Sequence, residues 1–337
     1  MKFTNKPICV GPMSSEVIES VYIFSEINHK SLMLISSKNQ IDHNKGYVNN
    51  WNTKDYANFL KKMKKKYKKS NVFVCRDHCG PGFNGNYTLN DTYKTIQCDI
   101  ENNFDLIHID FSMMKSSYKS ILKESQKAIK YAISLNKNIK IEVGTDENLG
   151  QKFSHMHIDD FYNEFLSLSE IKKPTFFVVP TGSLVLEDHQ VGSFNKPFLL
   201  SLAKKFKKID VGFKEHNADY LSKEKIALRK NIIDAINIAP QFGVNQTHIL
   251  IKNCIQYGIS HFDFLNRSYD SLKWKKWLNK NSKNNKYLCA ILAGHYNFNS
   301  KEYLQIIEQL SKIKNIRDEM INSHISILEH YSKSFEV

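Results

Sequence analysis

The chain has 337 residues, of which 41% are hydrophobic and 12% aromatic, so it can bury a large core and is not a disordered protein. Its net charge is +14, but only four of the 48 cationic residues are arginines, the side chain that specific nucleic-acid readers favour. No apolar segment approaches the ~18 residues of a transmembrane helix, no signal-peptide core is present, and the six cysteines are too scattered for a disulfide framework. We therefore expect a cytoplasmic protein with neither a membrane nor a nucleic-acid partner.

Short β-branched and aromatic runs alternate with longer amphipathic segments along the first 240 residues. The predicted strands are 7–13, 32–38, 71–77, 106–111, 139–144, 175–180, 208–213 and 235–239. Helical spacing is clearest at 53–69, 117–135 and 198–206, and the lysine-rich run 61–69 is interpreted as a solvated helix face rather than an anion-binding patch. Eight strand–helix units predict an α/β protein with a (β/α)8 TIM barrel, and a doubly wound open sheet is the alternative.

After about residue 249 the strand pattern fades and the chain is mostly helical. We divide it into a barrel catalytic domain at 1–265 and a helical C-terminal extension at 266–337. The extension is expected to pack on the barrel or to form an oligomer contact.

Polar residues cluster where the predicted strands end, which is where barrel enzymes carry their chemistry. Histidine and acidic side chains at these ends are His78, Asp110, Glu142, Glu187, Asp188, His189, Glu215 and His216. A catalytic transition metal such as zinc prefers imidazole and carboxylate ligands. His108 lies inside an apolar strand and is interpreted as a hydrogen-bonded core residue. The remaining histidines considered are interpreted as surface residues: His155, His157, His248, His324 and His330.

Several short motifs, in conserved order along the barrel, resemble the class II (metal-dependent) ketose-bisphosphate aldolase superfamily, most closely its tagatose-bisphosphate aldolase Z-subunit branch. The motifs are LISSKNQ at 34–40 with Gly46-Tyr47, DHCGP at 77–81, IEVGT at 141–145, EDH at 187–189, EHNADY at 215–220 and NIAP at 237–240. The resemblance covers about residues 30–245, the predicted barrel.

The resemblance implies a role for each matching residue. His78, His189 and His216 would bind Zn²⁺ or another divalent transition metal, with Glu142 as a fourth or alternate ligand. Asp77 would be the acid/base at the C4 hydroxyl, and Asn237 would hold the enediolate or its phosphate-bearing fragment. Further residues implied in substrate binding are Ser36, Ser37, Lys38, Arg76, Asp219 and Tyr220. The superfamily's glycine- and serine-rich phosphate loop is replaced here by residues 217–220 (NADY).

The predicted activity is cleavage or formation of the C3–C4 bond of a ketose phosphate by retro-aldol chemistry. A Lewis-acid metal would stabilise charge on the ketone oxygen, whereas a Schiff-base enzyme would need a desolvated lysine, for which Lys140 and Lys214 are candidates. Alternatives are a C4-epimerase that uses the same step and a noncatalytic stabilising subunit. The expected partners are a small sugar phosphate and a second chain, either a copy of this one or a related aldolase subunit.

Overall fold

The computed structural model describes residues 7–145, 158–279, 282 and 285–335. Eight parallel strands close into a barrel in the order β1, β2, β3, β4, β5, β6, β9, β10 and back to β1. The strands are β1 Ile8–Val10, β2 Ser31–Ser37, β3 Asn71–Cys79, β4 Leu106–Ile109, β5 Lys140–Gly144, β6 Phe176–Val178, β9 Gly212–Glu215 and β10 Ala235–Ile238. The predicted (β/α)8 barrel is confirmed.

Helices cross over between the strands and continue after the barrel. The barrel helices are α1 Ser15–Asn28, α2 Thr53–Lys66, α3 Leu89–Glu101, α4 Tyr118–Leu135, α5 Ile158–Ser169, α6 Lys196–Phe206, α7 Lys223–Ala227 and α8 Pro240–Gln256. The later ones are α9 Phe262–Asp270, α10 Lys286–Ala293, α11 Lys301–Ser311 and α12 Ile316–Phe335, with 3₁₀ turns at Lys273–Lys276 and Gly294–Asn297. No helix in the described ranges is long and apolar enough to cross a membrane.

The lysine run falls on α2, whose start is fixed by a capping box between Asn52 and Asp55. Tyr56, Leu60 and Met63 face the core, while the lysines are exposed and three of them fill the last turn, where the helix dipole favours cations. The structure thus agrees with the interpretation of this run as a solvated helix face.

The seventh barrel strand, β9, begins at Gly212 and not at residue 208. The apolar residues Ile209 and Val211 belong to the approach after α6, and the strand itself carries Phe213 between glycine and two charged residues. Lys214 and Glu215 are buried because each is paired with a charge from another element. Hydrophobic periodicity therefore places this strand about four residues too early.

Three apolar clusters among the described residues hold the molecule together, and the smallest joins barrel-strand side chains such as Met33, Cys75 and Phe176. The largest lies between the barrel and its helices, and it includes Leu328, Tyr331 and Phe335 of α12. The second begins at Val244 on α8 and continues through α9, α10 and α11 to Met320. Because α8 contributes to the second cluster and α12 returns to the first, the helical C-terminal layer is continuous with the barrel core.

Candidate active site

Four ionisable side chains from four barrel strands meet inside the barrel. Asp77 comes from β3, His108 from β4, Glu142 from β5 and His216 from the residue after β9. His108 and Glu142 are directly paired in the parallel register of β4 and β5. Only barrel closure brings His216 to the other three, because β9 is far from β3 along the chain.

The four ligand atoms are nearly equidistant. Asp77 Oδ1 lies 3.5 Å from His108 Nδ1 and 3.6 Å from His216 Nε2. Glu142 Oε1 lies 3.7 Å from His108 Nδ1 and 3.5 Å from His216 Nε2. Ligand atoms ~2.0–2.2 Å from a tetrahedral zinc ion are roughly 3.3–3.6 Å apart. The residues present therefore fit a divalent metal.

Hydrogen bonds behind the site fix which imidazole nitrogens face it. His108 Nε2 lies 2.9 Å from the carbonyl of Gly144, which can only accept, so Nδ1 carries the lone pair. His78 Nδ1 lies 2.7 Å from Asp110 Oδ2, and His78 Nε2 lies 3.2 Å from His216 Nδ1. Because His78 donates its Nδ1–H to Asp110, its Nε2 is the acceptor for the Nδ1–H of His216. Nε2 of His216 is then unprotonated and faces the carboxylates.

Two carboxylate oxygens thus face two lone-pair nitrogens. Asp77 Oδ1 and Glu142 Oε1 are buried and accept no hydrogen bond from any described residue. Nδ1 of His108 also accepts from the backbone N–H of His78 at 3.3 Å. The four acceptors still repel one another unless a cation or an added proton lies between them. Imidazole–carboxylate sets oriented in this way from behind are characteristic of metal sites.

The charge state of the site is set by ion pairs. Burial by itself raises the pKa of Glu142, but the ammonium of Lys214, 2.7 Å from Oε2, and the nearby imidazoles outweigh burial and lower the pKa to about 2. Burial likewise opposes ionisation of Asp77, yet the positive charge that His78, His216 and His108 carry when protonated holds its pKa well below the ordinary value. A cation bound in place of those protons acts in the same direction. Both carboxylates are therefore ionised at neutral pH.

A cleft of about 310 Å³ opens above this group. Asp77, His78 and His216 lie at its floor, and Asn237, 4% exposed, lines it with both amide atoms free of hydrogen bonds to described residues. Its other lining residues are Met13, Ile35, Ser37, Asn39, Gln40, Tyr47, Phe83, Asn217, Asp219, Ala239, Pro240, Lys276, Trp277 and Tyr296. The volume suits a small polar molecule.

Most of the predicted site residues lie together here. Asp77, His78 and His216 lie at the floor of the cleft, Glu142 is buried beside Asp77 and His216, and Ser37, Asp219 and Asn237 line the walls. Their proposed roles as ligands, acid/base and substrate contacts remain proposals.

His189 is the exception among the predicted ligands. It lies on a two-stranded hairpin, β7 Val185–Leu186 and β8 His189–Gln190, within the loop after β6. Its side chain is 71% exposed and pairs with Asp188. The predicted position of His189 is corrected: the hairpin carries it away from the end of β6, where the sequence places it. His108, interpreted from the sequence as a core residue, is fully buried and is the second histidine of the group that could hold a metal.

The predicted phosphate contacts from β2 and β3 are also corrected. Arg76 is fully buried on the outer side of β3, where its guanidinium makes two hydrogen bonds to Asp99 and two to backbone carbonyls. Ser36 is buried against the carbonyl of Cys75, and Lys38 is buried in an ion pair with Asp91. Tyr220 does not line the cleft, and its buried hydroxyl makes no hydrogen bond to a described residue.

Two other groups of sequence expectations have clear outcomes. His324 is fully buried beside Phe242, so its surface assignment is wrong, whereas His248 is exposed and His330 is half-buried. His155 and His157 lie outside the described residues. Of the Schiff-base candidates, Lys140 is exposed, and burial of Lys214 is outweighed by Glu142, which raises the lysine's pKa and keeps it protonated.

Comparison with known proteins gives structural matches only. No family model and no curated protein sequence matches the chain. A solved structure described as a probable tagatose 6-phosphate kinase from Sinorhizobium meliloti 1021 matches with a TM-score of 0.82 and 10% identity, covering 98% of this chain and 100% of that one. A fructose-bisphosphate aldolase from Campylobacter jejuni matches with a TM-score of 0.62 and 14% identity, covering 99% and 92%. The YdjI aldolase of Escherichia coli K12 gives a TM-score of 0.49 at 12% identity, covering 90% and 91%.

The first and second of these likenesses extend over nearly the whole chain, the C-terminal helices included. At such low identity they establish the fold alone, an aldolase-like TIM barrel. The chemistry must be argued from the site.

Proposed function

We propose that the protein is a metal-dependent aldehyde-lyase that cleaves or forms the C3–C4 bond of a ketose phosphate, in the manner of the tagatose-bisphosphate aldolase branch. The observation that carries this proposal is the set of four ligand atoms at and beneath the floor of the cleft, in which each carboxylate oxygen lies 3.5–3.7 Å from both imidazole nitrogens. A purely structural chain has no need for buried, unsatisfied carboxylates at the mouth of a barrel.

His108, Glu142 and His216 would hold a divalent ion such as Zn²⁺, leaving one position open as catalytic sites require. When bound, the ion supplies a Lewis acid that stabilises the negative charge developing on the ketone oxygen during cleavage. Lys214 keeps Glu142 ionised, and Gly144 and His78 hold the two imidazoles in the tautomers that the ion needs.

Asp77 is the carboxylate that both belongs to the buried group and lines the cleft. Its low pKa keeps Asp77 ionised, so the carboxylate is in the form that accepts the proton of the C4 hydroxyl as the C3–C4 bond breaks and returns it in the reverse direction. Asn237 offers a free donor and a free acceptor to the hydroxyl or oxyanion of the three-carbon fragment.

C4 epimerisation is the second candidate, because the walls of the cleft favour retention of a cleaved fragment. Tyr47, Trp277 and Tyr296 form an aromatic side to the opening. An aldehyde held in place could rotate and re-add before it escapes. A stabilising subunit that pairs with a catalytic chain is the third candidate, and pairing with such a chain or with a second copy is part of the proposal.

One incubation separates these candidates. Zinc-loaded protein is mixed with a ketose 1,6-bisphosphate or a ketose 6-phosphate, and triose phosphate and C4 epimer are quantified. We expect triose phosphate from the wild type and a roughly 10²–10⁴-fold lower rate for Asp77→Asn, which removes the acid/base but keeps the side-chain shape. Epimer without triose phosphate would favour the second candidate, and no turnover of any ketose phosphate would leave the stabilising role.

A further inference from the structure

The usual phosphate site of a barrel is closed in this chain. Barrel enzymes commonly bind phosphate with the loops after the seventh and eighth strands and a nearby helix N-terminus. Here the backbone N–H groups of Ala239 and Gln241, at the start of α8, donate to Oδ1 of Asp219 at 3.0 and 2.9 Å. Asp219 is 1% exposed and takes the place that an anion would occupy.

The loop after β9 offers no alternative cradle. The N–H of Ala218 donates to the carbonyl of Asn237, that of Tyr220 donates to Gln241, and that of Leu221 donates to the hydroxyl of Tyr331. These three N–H groups already donate to acceptors within the protein. A phosphate placed here would lack donors and would also meet the oxygen-rich side chain of Asp219.

An outer chamber adjoins the cleft on its other side. This outer chamber, of about 450 Å³, shares Asn39, Tyr47, Lys276 and Tyr296 with the cleft and is otherwise lined by Lys38, Lys45, Gly46, Asn84, Ser271, Lys273 and Asn297. The outer chamber is therefore the immediate neighbour of the cleft, and these four shared side chains are all that need lie between a molecule above Asp77 and the chamber.

Cations dominate the outer chamber. Lys45, Lys273 and Lys276 are exposed, and within the described part of the chain none of them lies within 4.0 Å of a carboxylate. Lys38, by contrast, is neutralised by Asp91 at 2.6 Å. The ammonium of Lys276 stands 4.4 Å from the ring centre of Trp277 and 5.7 Å from that of Tyr296, which holds it at the junction of cleft and chamber.

We propose that the outer chamber binds the phosphomonoester end of the substrate through Lys45, Lys273 and Lys276. This inference rests on the proposed function for the identity of the substrate as a sugar phosphate. Lysine is a competent phosphate ligand as a point charge, and three unpaired ammonium groups complement a dianion. The helical layer after the barrel thereby supplies two of the three cations and completes the binding site.

Binding of fructose 6-phosphate and inorganic phosphate to metal-depleted protein tests the proposal, with unphosphorylated fructose as a blank. The test variant is Lys45→Gln/Lys273→Gln/Lys276→Gln. The matched control is Lys61→Gln/Lys62→Gln/Lys65→Gln on the exposed face of α2, which changes the net charge equally. We expect the Kd for both phosphate probes to rise at least tenfold in the test variant and less than twofold in the control, with the difference shrinking at high salt.

Equal effects in the two variants, or a wild type that binds neither probe, would overturn the proposal. If the triple variant unfolds, Lys45→Gln/Lys273→Gln, which leaves Lys276 on its aromatic rings, must still weaken binding by at least threefold. The readout is independent of turnover. Lysine-dependent binding without retro-aldol activity would refute only the proposed function, and activity with an unchanged KM in the test variant would refute only this inference.

Discussion

A chain of three histidines sets the chemistry of the site at the scale of single residues. Asp110 orients His78, His78 orients His216, and Gly144 orients His108. Nε2 of His216 and Nδ1 of His108 converge on Asp77 and Glu142. The ligand role that the resemblance implies for His78 stays a prediction, and in the structure His78 contacts His216 and lines the cleft.

The buried carboxyl of Asp219 should make the stability of the protein depend on pH. Burial raises its pKa from 3.8 to about 7, although the N–H groups of Gln241 and Ala239 oppose that rise. Because the folded pKa lies above the unfolded one, protonation of Asp219 favours the folded state. This contribution is fully present below about pH 4 and is lost as the pH rises through 7, whereas a side chain that does not ionise shows no such change.

Asp219→Asn removes this titration and keeps an oxygen that can accept from the same two N–H groups. Between pH 4 and 8, the free energy of unfolding of the variant relative to the wild type should increase by up to about 4 kcal/mol, since a shift from 3.8 to about 7 spans that range. Urea unfolding at several pH values measures it. A pH-independent difference between the two proteins would contradict the assigned shift.

At the scale of elements, β3 presents a site residue on one face and a residue that stabilises the fold on the other. Alternation along the strand turns Asp77 towards the barrel opening and Arg76 outward to α3, where Asp99 receives it at 2.6 and 2.7 Å. Arg76 is therefore a link between strand and helix. Sequence alone cannot separate these two roles, because an arginine beside a catalytic motif also fits phosphate binding.

Arg76→Met should lower the free energy of unfolding by about 3–5 kcal/mol, because the variant leaves Asp99 as an uncompensated buried charge. Urea denaturation measures the loss. The double variant Arg76→Met/Asp99→Leu is the control, and it should recover much of the stability since no lone charge remains. An unchanged stability together with lost phosphate binding would restore the role that the sequence predicted for Arg76.

For the whole molecule, the sequence predicts the barrel because β-branched and aromatic runs mark most of its strands. It misplaces β9, where Lys214 and Glu215 are buried only through Glu142 and Arg229, partners contributed by other elements. The sequence also suggests His189 as a ligand and interprets His108 as a core residue. The path of the loop after β6 determines where His189 lies, and the pairing of β4 with β5 places His108 beside Glu142. Both positions depend on three-dimensional contacts that periodicity does not contain.

The helices after the barrel matter for the molecule as a whole. Tyr331 of α12 donates to the carbonyl of Ala218 and accepts from the N–H of Leu221, which ties the last helix to the loop that follows β9. Lys276, Trp277 and Tyr296 line the cleft itself. The predicted extension therefore takes part in the site, an outcome that its sequence pattern does not indicate.

Zinc binding tests the central claim most directly. Metal-free wild type, His216→Ala and His189→Ala are titrated with Zn²⁺, and stoichiometry and affinity are measured by calorimetry. We predict roughly one tightly bound ion per chain for the wild type and for His189→Ala, and loss of that ion in His216→Ala, because His216, unlike His189, faces Asp77 and Glu142. A wild type that binds no ion, or an ion lost with His189 and kept without His216, would contradict the account.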